Sequence, residues 1–352
     1  MKLRAGRYGS LLVAMALLAL GLAPPSEFVA ALEDAGPNRH DIERIERGYY
    51  EQLLDSGRKL SVVEPVPFDA GRLCDVVADL REYVLKPNLR TEHRGASWTT
   101  NSRGMRDGEY ASEKPANTMR VALVGDSIGS GWGVDDGQGF EPTLERAWNE
   151  RRSGAIEVLN FSVPGHAPGQ RWEQFRRAGW PTSPDVVIFE ATPADPGWDE
   201  RRLRGLLARR IGWDAPQYRD AIAASGVRRG GDFESYKSIL KPHRWAILDN
   251  VYRQAVAECR ERGVVPVWVL IPRVGKPIAP ADRARLIASA NSAGFAVVAD
   301  VSDGFDGLDP TELAIAPNDF HPNARGHRIL AYRIDAALSA DPTWRAWMEG
   351  RR

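Results

Sequence analysis

The feature that most constrains the fold of this chain is a regular alternation of short apolar runs and helical patterns, which begins at Met119. Strands that alternate with helices indicate a parallel sheet covered by helices on both faces. The predicted fold class is therefore α/β, with three layers and a central parallel five-stranded sheet. The apolar runs, each short enough for a strand buried on both faces, are Arg120 to Val124, Glu157 to Phe161, Asp185 to Glu190, Val264 to Ile271 and Phe295 to Val301.

The alternation is interrupted between the third and fourth predicted strands by residues 196–243, which are too many for a plain connection. Leu203, Leu206 and Leu207 have helical spacing, and glycines such as Gly226 and Gly230 follow them. We interpret this segment as an insertion in the domain. It forms either a cap near the functional site or a surface excursion with no role in ligand choice.

Residues 32–117 are predicted to be an N-terminal helical extension, and the α/β domain covers residues 118–345. One helical pattern runs from Asn38 to Ser56 and ends at Gly57. A second pattern places five apolar residues on one helix face, namely Leu73, Val76, Val77, Leu80 and Val84.

Residues 1–31 have the layout of a secretory signal peptide. Lys2, Arg4 and Arg7 precede an apolar stretch from Leu11 to Ala23, and small residues around Ala30 suit a cleavage site. At about 1.5 Å per residue this stretch reaches only about 20 Å, short of the roughly 30 Å core of a membrane. The protein is therefore predicted to be exported to the periplasm or the extracellular space. An uncleaved N-terminal membrane anchor is the alternative.

Charge and cysteine content argue against several classes of protein. Lysine plus arginine and aspartate plus glutamate both total 47, so no basic excess marks a nucleic-acid-binding protein. Cys74 and Cys259 are far apart and lack CxxC spacing, so neither a zinc site nor a disulfide framework is indicated. We interpret both as buried small apolar residues, with a single bridge between them as the alternative.

Residues in two distant segments suit nucleophilic catalysis. Gly125, Asp126 and Ser127 end the first predicted strand. A serine at a strand-to-helix corner is lifted above the carboxyl edge of a parallel sheet, where such sheets bind ligands. Its hydroxyl needs a base to remove its proton. His321 lies in a loop on the same predicted edge, and Asp319 stands two residues earlier, where it can orient the imidazole.

Three segments follow one another along the chain: Gly125-Asp126-Ser127, Asn160-Phe161-Ser162-Val163-Pro164-Gly165 and Asp319-Phe320-His321-Pro322-Asn323. In this order they resemble blocks I, II and V of the SGNH (GDSL-type) hydrolases. The resemblance covers Arg120 to Ser339 and implies the SGNH hydrolase version of the fold, which is flavodoxin-like. A fourth segment resembles one that often precedes the domain in exported bacterial members. This fourth segment runs from Thr100 to Asp107.

The resemblance implies a role for individual residues. Ser127 would be the nucleophile and, through its backbone N–H, one oxyanion donor, while Gly165 would supply a second backbone donor. His321 would be the base and Asp319 the orienting acid, with Asn318 as a weaker orienting partner. No metal or organic cofactor is implied.

One block departs from the family pattern. Thr192, Pro193, Ala194 and Asp195 stand where block III reads Gly-x-Asn-Asp, and Ala194 cannot donate a hydrogen bond as the asparagine does. Loss of one oxyanion donor typically lowers the rate about 100- to 1000-fold. Three explanations stay open: the oxyanion hole works with two donors, Thr192 or another side chain substitutes, or the protein has lost activity.

Together these features predict a serine esterase, a hydrolase that cleaves an ester-linked acyl group from a small molecule or a glycan. An O-acetyl group on a cell-envelope glycan and a lipid ester are the two predicted substrate types. An O-acyltransferase with the same triad and a catalytically silent, SGNH-like binding module of the cell envelope are the alternatives. Trp132, Trp198 and Trp213 either flank a bound substrate or are ordinary core and surface aromatics.

Overall fold

The computed structural model describes residues 71–152 and 155–350. The predicted signal segment over residues 1–31 and the predicted helix over residues 38–56 lie outside these ranges. Among the described residues, no helix has the length and apolar character needed to cross a membrane.

Two short antiparallel hairpins precede the main sheet. The first pairs β1 (Cys74–Val76) with β2 (Tyr83–Leu85), and the second pairs β3 (Arg90–His93) with β4 (Ala96–Thr99). The described part of the predicted helical extension is therefore built from hairpins, and the prediction of a helix over residues 73–84 is wrong.

Turn chemistry and tertiary packing explain why a hairpin replaces this helix. Arg81 N donates to Asp79 Oδ1 at 2.9 Å, and Glu82 adopts a φ of 65°, which a helix cannot accommodate. Val76, which the helix would bury, is 66% exposed, whereas Tyr83 is fully buried. Packing against the rest of the domain thus overrides a helical spacing that is weak by itself.

A parallel five-stranded sheet forms the centre of the α/β domain and confirms the predicted fold class. The strands are β5 (Met119–Val124), β6 (Ile156–Asn160), β7 (Val186–Ala191), β8 (Val265–Leu270) and β9 (Val297–Asp300). They lie in the order β6-β5-β7-β8-β9, and every pair is parallel. All residues of β5 and β7 are buried, as expected for strands covered on both faces.

Helices cover both faces of the sheet. Ala122 and Val124 of β5 join one apolar core, and Val121 and Leu123 join the other, because successive side chains of a strand point to opposite faces. The helices are α1 (Phe140–Arg151), α2 (Pro168–Ala178), α3 (Asp195–Ala208), α4 (Arg219–Ser225), α5 (Phe233–Leu240), α6 (Arg244–Glu261), α7 (Pro280–Ala293), α8 (Ala324–Ala340) and α9 (Pro342–Met348). Helices α1, α8 and α9 contribute to the second core, and α2 to α7 contribute to the first.

Residues 196–243, the predicted insertion, form most of α3 together with α4 and α5. Leu203, Tyr218 and Leu240 are buried in the same apolar core as Val251 of α6. The segment is therefore a packed part of the helical layer. Its interpretation as a cap that influences substrate choice stays a prediction.

Cys74 and Cys259 are both buried and free, which confirms their interpretation as small apolar residues. Burial raises the pKa of each thiol to about 12. Both thiols are therefore uncharged and unreactive at neutral pH.

The parallel arrangement brings distant loops to one edge of the sheet. Ser127 follows β5, Gly165 follows β6, Ala194 follows β7, and His321 lies between β9 and α8. Loops that leave the carboxyl ends of parallel strands meet at the edge where such sheets bind ligands.

Candidate active site

Ser127 lies in a tight turn that directly follows β5. Asp126 shapes this turn, because its Oδ1 accepts a hydrogen bond from Ile128 N at 3.1 Å. Position 125 needs glycine, since a Cβ there would lie 2.4 Å from Glu190 Oε2 of β7. The turn is enclosed by the domain, and Ser127 is only 1% exposed.

The structure brings Ser127, His321 and Asp319 together. Ser127 Oγ donates to His321 Nε2 at 2.8 Å. His321 Nδ1 donates to Asp319 Oδ1 at 2.6 Å, and the backbone N–H of His321 donates to the same oxygen at 2.9 Å. In this order, a hydroxyl, an imidazole and a carboxylate allow the imidazole to accept the hydroxyl proton.

The surroundings of Asp319 favour its charged form. Burial alone would raise the pKa of its carboxyl, but the hydrogen bonds and charge of His321, together with the charge of Arg94, hold that pKa below its ordinary value. Its second oxygen, Oδ2, accepts from Arg94 Nη1 at 3.0 Å. Asn318 is exposed and forms no hydrogen bond with any residue that the structure describes. The imidazole is therefore oriented by Asp319 and not by Asn318.

Backbone donors lie in the two loops that follow β5 and β6. Val163 N donates to Gly125 O at 3.3 Å and joins these loops, and Gly165 adopts a φ of 80°, which favours glycine. Within residues 71–152 and 155–350, neither the N–H of Ser127 nor that of Gly165 forms a hydrogen bond. Both groups are thus available to an incoming oxygen.

The loop after β7 has no side chain that replaces the block III asparagine. The Thr192 hydroxyl donates to Asp195 Oδ1 at 2.9 Å, and Thr192 N donates to Asp195 Oδ2 at 3.1 Å. Ala194 precedes α3 as its N-cap, and its methyl side chain has no hydrogen-bond donor. Because its hydroxyl hydrogen is directed to Asp195, Thr192 is not a substitute donor.

The description "GDSL-like lipase/acylhydrolase family" belongs to a family model that matches residues 123–329. The match covers more than half of the 352 residues and includes Ser127, Gly165 and His321. The chain belongs to this family. The resemblance inferred from the three blocks is confirmed, and the protein is a hydrolase that acts on ester bonds.

Solved structures similar to this GDSL-like hydrolase share little sequence with it, and no curated protein sequence matches the chain. A crystal structure of TesA is 15% identical, with a TM-score of 0.43, and covers 63% of this chain and 99% of its own. The psychrotrophic esterase EstA from Pseudoalteromonas sp. is 12% identical to this chain, with a TM-score of 0.39. The match covers 64% of this chain and 97% of the esterase. An acetyl xylan esterase, AlAXEase, is 14% identical to this chain, with a TM-score of 0.40. The match covers 62% of this chain and 99% of that esterase.

Arg171 of α2 is a central residue of this GDSL-like site that the sequence analysis missed. Its buried guanidinium donates to Asp126 Oδ2 at 2.8 Å and to the two carboxylate oxygens of Asp195 at 3.0 and 3.1 Å. It also donates to the carbonyls of His166 at 2.8 Å and Glu190 at 3.0 Å. Arg171 therefore joins the turn that carries Ser127 to the loop after β7. An arginine in a polar helix gives no sequence signal that it is buried.

Glu190 and Asp126 form a buried carboxyl pair beneath the nucleophile turn. Burial, and then the charge of Asp126, raise the pKa of Glu190 well above its ordinary value. Burial alone would also raise the pKa of Asp126, but the charge of Arg171 holds it below its ordinary value. In this pair the surroundings therefore favour the charged form of Asp126, beside Arg171, and the protonated form of Glu190.

His327 and Trp132 have structural positions close to Ser127 and His321. His327 Nδ1 accepts from Phe140 N at 3.2 Å at the start of α1, and burial lowers its pKa to about 3, so it stays neutral. Trp132 is buried, and its ring centroid lies 6.1 Å from that of His321. Trp132 is thus a core aromatic that also forms a wall beside the imidazole.

Proposed function

We propose that the protein is a serine esterase in which Ser127, His321 and Asp319 act as a triad. Ser127 attacks the carbonyl carbon of the ester and forms an acyl-enzyme, while His321 takes the hydroxyl proton and then protonates the departing alcohol. Asp319 holds the imidazole and stabilises its protonated form. Water then attacks the acyl-enzyme and releases the acid. The observation that carries this proposal is the 2.8 Å hydrogen bond between Ser127 Oγ and His321 Nε2.

The developing oxyanion is proposed to be bound by the backbone N–H groups of Ser127 and Gly165. Support comes from the lack of any other acceptor for these two groups among the described residues. Because the Thr192 hydroxyl is hydrogen-bonded to Asp195 and the Ala194 side chain has no donor, we propose that the hole works with two donors. A hole with two donors stabilises the transition state less than one with three, which favours a modest rate.

The proposed substrate is a short acyl ester, such as an O-acetyl group on a cell-envelope glycan. Ser127 and His321 are 1% and 3% exposed, and the rings of Trp132 and Phe320 flank the imidazole. Such an enclosed nucleophile supports a small acyl group over the long chain of a lipid ester. Transfer of the acyl group to a sugar hydroxyl would use the same triad, with water excluded from the acyl-enzyme.

Export is part of the proposal and rests on the N-terminal sequence alone. The basic residues Lys2, Arg4 and Arg7 and the apolar stretch after them support a periplasmic or extracellular location, with or without retention at the membrane. A glycan ester of the cell envelope would be accessible from either location.

Hydrolysis of p-nitrophenyl esters tests the proposal. The full-length protein should cleave the acetate faster than the octanoate, and Ser127→Ala should lower kcat on the acetate at least about 1000-fold. Ser238→Ala, which changes an exposed serine of α5, is the matched control and should keep wild-type activity. Equal rates for the wild type and Ser127→Ala would refute the proposed nucleophile.

A silent binding module of the cell envelope is the second candidate, and the alanine at position 194 is the observation that favours it. If the wild type hydrolyses no ester and yet binds an acetylated glycan in a calorimetric titration, this candidate replaces the esterase. The comparison of the wild type with Ser127→Ala therefore separates the two candidates.

A further inference from the structure

We infer that Arg94, which lies outside the range matched by the family model, is a positioning residue for the triad and fixes Asp319 in its orientation toward His321. The inference rests on the proposed function, because it assigns Arg94 a task in the reaction of Ser127. The guanidinium contacts the carboxylate of Asp319 and acts on His321 through it. Arg94 Nη1 donates to Asp319 Oδ2 at 3.0 Å.

The two oxygens of Asp319 are divided between two partners. Oδ1 accepts both hydrogen bonds from His321, at 2.6 and 2.9 Å, and Oδ2 accepts the bond from Arg94. A carboxylate held at both oxygens cannot rotate about its Cβ–Cγ bond without breaking a charge-assisted hydrogen bond. Without Arg94, His321 would be the one described residue that holds this carboxylate, which in turn has to orient His321.

A tight hairpin turn places Arg94 next to Asp319. His93 pairs with Ala96, so β3 and β4 are connected by Arg94 and Gly95 alone. Their φ values are 53° and 74°, and a positive φ at both central residues is typical of a type I′ turn. Glycine adopts such a φ freely, whereas arginine does so at a cost. The backbone of the hairpin is therefore strained at Arg94, the residue that contacts Asp319.

The hairpin is fixed to the nucleophile loop by buried contacts. The ring of Trp132 lies 4.4 Å from that of His93 and 5.7 Å from that of Trp98. Arg106 donates to Ser97 O of β4 at 2.8 Å and to Ser130 O after the nucleophile at 2.8 Å. These contacts fix the hairpin to the loop that carries Ser127, so the backbone of Arg94 is held rigidly.

Arg94 also places a positive charge next to the carboxylate that His321 contacts. The other titratable and charged groups that face His321 are Asp319 in its own loop, Asp126 in the nucleophile turn and His327 in α8. Arg273 is more distant, with its guanidinium 3.5 Å from the centroid of the Phe320 ring, which stacks on His321. Removing the positive charge of Arg94 favours the protonated imidazole, which cannot accept the proton of Ser127.

Kinetics of Arg94→Gln, Arg94→Lys and Arg90→Gln on p-nitrophenyl acetate test the inference. Arg90 is exposed in β3 of the same hairpin, so Arg90→Gln is a matched control for the loss of one charge. We expect Arg94→Gln to lower kcat/KM about 10- to 100-fold, since a misplaced catalytic group is costly. The acidic limb of its pH profile should also move upward, because a positive charge near the base is lost. Arg94→Lys should recover much of both effects, and Arg90→Gln should match the wild type.

Wild-type kinetics in Arg94→Gln would overturn the inference, and so would a loss of kcat/KM with an unmoved acidic limb. A readout that needs no turnover separates this failure from failure of the proposed function. The Nδ1 proton of His321 should give a low-field NMR resonance, identified by its absence in Asp319→Ala. Whether or not the wild type hydrolyses esters, a shifted or broadened resonance in Arg94→Gln supports the inference, and an unchanged one refutes it.

Discussion

Replacement of Arg171 by methionine tests how the site is held together. The substitution keeps an unbranched apolar side chain of comparable reach but removes the guanidinium, which donates three hydrogen bonds to carboxylates and two to carbonyls. Asp126 and Asp195, both fully buried, then lose their positive partner. We expect Arg171→Met to be strongly destabilising, because a buried charge without a partner costs several kcal/mol.

The ordinary pKa of aspartate sets the magnitude of this effect. A buried carboxylate without its partner can escape the cost of its charge by taking up a proton. Protonating one aspartate, such as Asp126, whose ordinary pKa is 3.8, costs about 4 kcal/mol at pH 7, at about 1.4 kcal/mol per unit. At pH 5 the same protonation costs only about 2 kcal/mol. Arg171→Met should therefore lose about 4 kcal/mol or more at pH 7 and markedly less at pH 5.

The sign of this pH dependence follows from proton linkage. In Arg171→Met the folded pKa of the two aspartates lies above the unfolded value, so their protonated forms stabilise the fold at low pH, and that stability is lost as the pH rises toward 7. Urea denaturation followed by tryptophan fluorescence at both pH values measures the free energy of unfolding. Arg229→Met, which breaks an exposed ion pair with Asp214, is the control and should cost less than about 1 kcal/mol. A loss below about 1 kcal/mol for Arg171→Met at pH 7, or an equal loss at both pH values, would refute the reasoning.

Two further predictions concern the oxyanion hole and a buried acid. Ala194→Asn restores the block III side chain and should raise kcat on p-nitrophenyl acetate by up to about 100-fold; an unchanged kcat with an unchanged melting temperature would count against the two-donor hole. Burial raises the pKa of Asp199 to about 7, so its protonated form stabilises the fold below pH 4 and this stability is lost as the pH rises through 7. The melting temperature of Asp199→Asn should therefore fall less steeply than that of the wild type between pH 5 and 8, and parallel curves would contradict this.

The sequence predicted the sheet well, because its strands are buried on both faces and read as uninterrupted apolar runs. The predicted run Asp185 to Glu190 differs by one residue at each end from β7, and the run Val264 to Ile271 extends one residue beyond β8 at each end. Ser127 and His321 could be placed at the same edge for a related reason. In a parallel sheet, every loop that follows a strand leaves at the same side.

The hairpins and the charged network were not predictable in the same way. Val76, Val77 and Leu80 share a helical spacing by coincidence, and only the turn at Glu82 and the burial of Tyr83 decide for a hairpin. Arg94 and Arg171 are two of many arginines in the chain. Their roles depend on carboxylates far away in sequence, and no local pattern marks such a pairing.

Covalent labelling with a fluorophosphonate probe measures the activation of Ser127 most directly, because it requires no knowledge of the substrate. We expect one adduct in the full-length protein, located on Ser127 by peptide mapping and absent in Ser127→Ala. Labelling of His321→Ala should be at least about 100-fold slower, because the Ser127 hydroxyl then lacks the base that lies 2.8 Å away in the wild type. An unlabelled Ser127, or labelling at the wild-type rate in His321→Ala, would contradict the proposal that these two side chains form a catalytic pair.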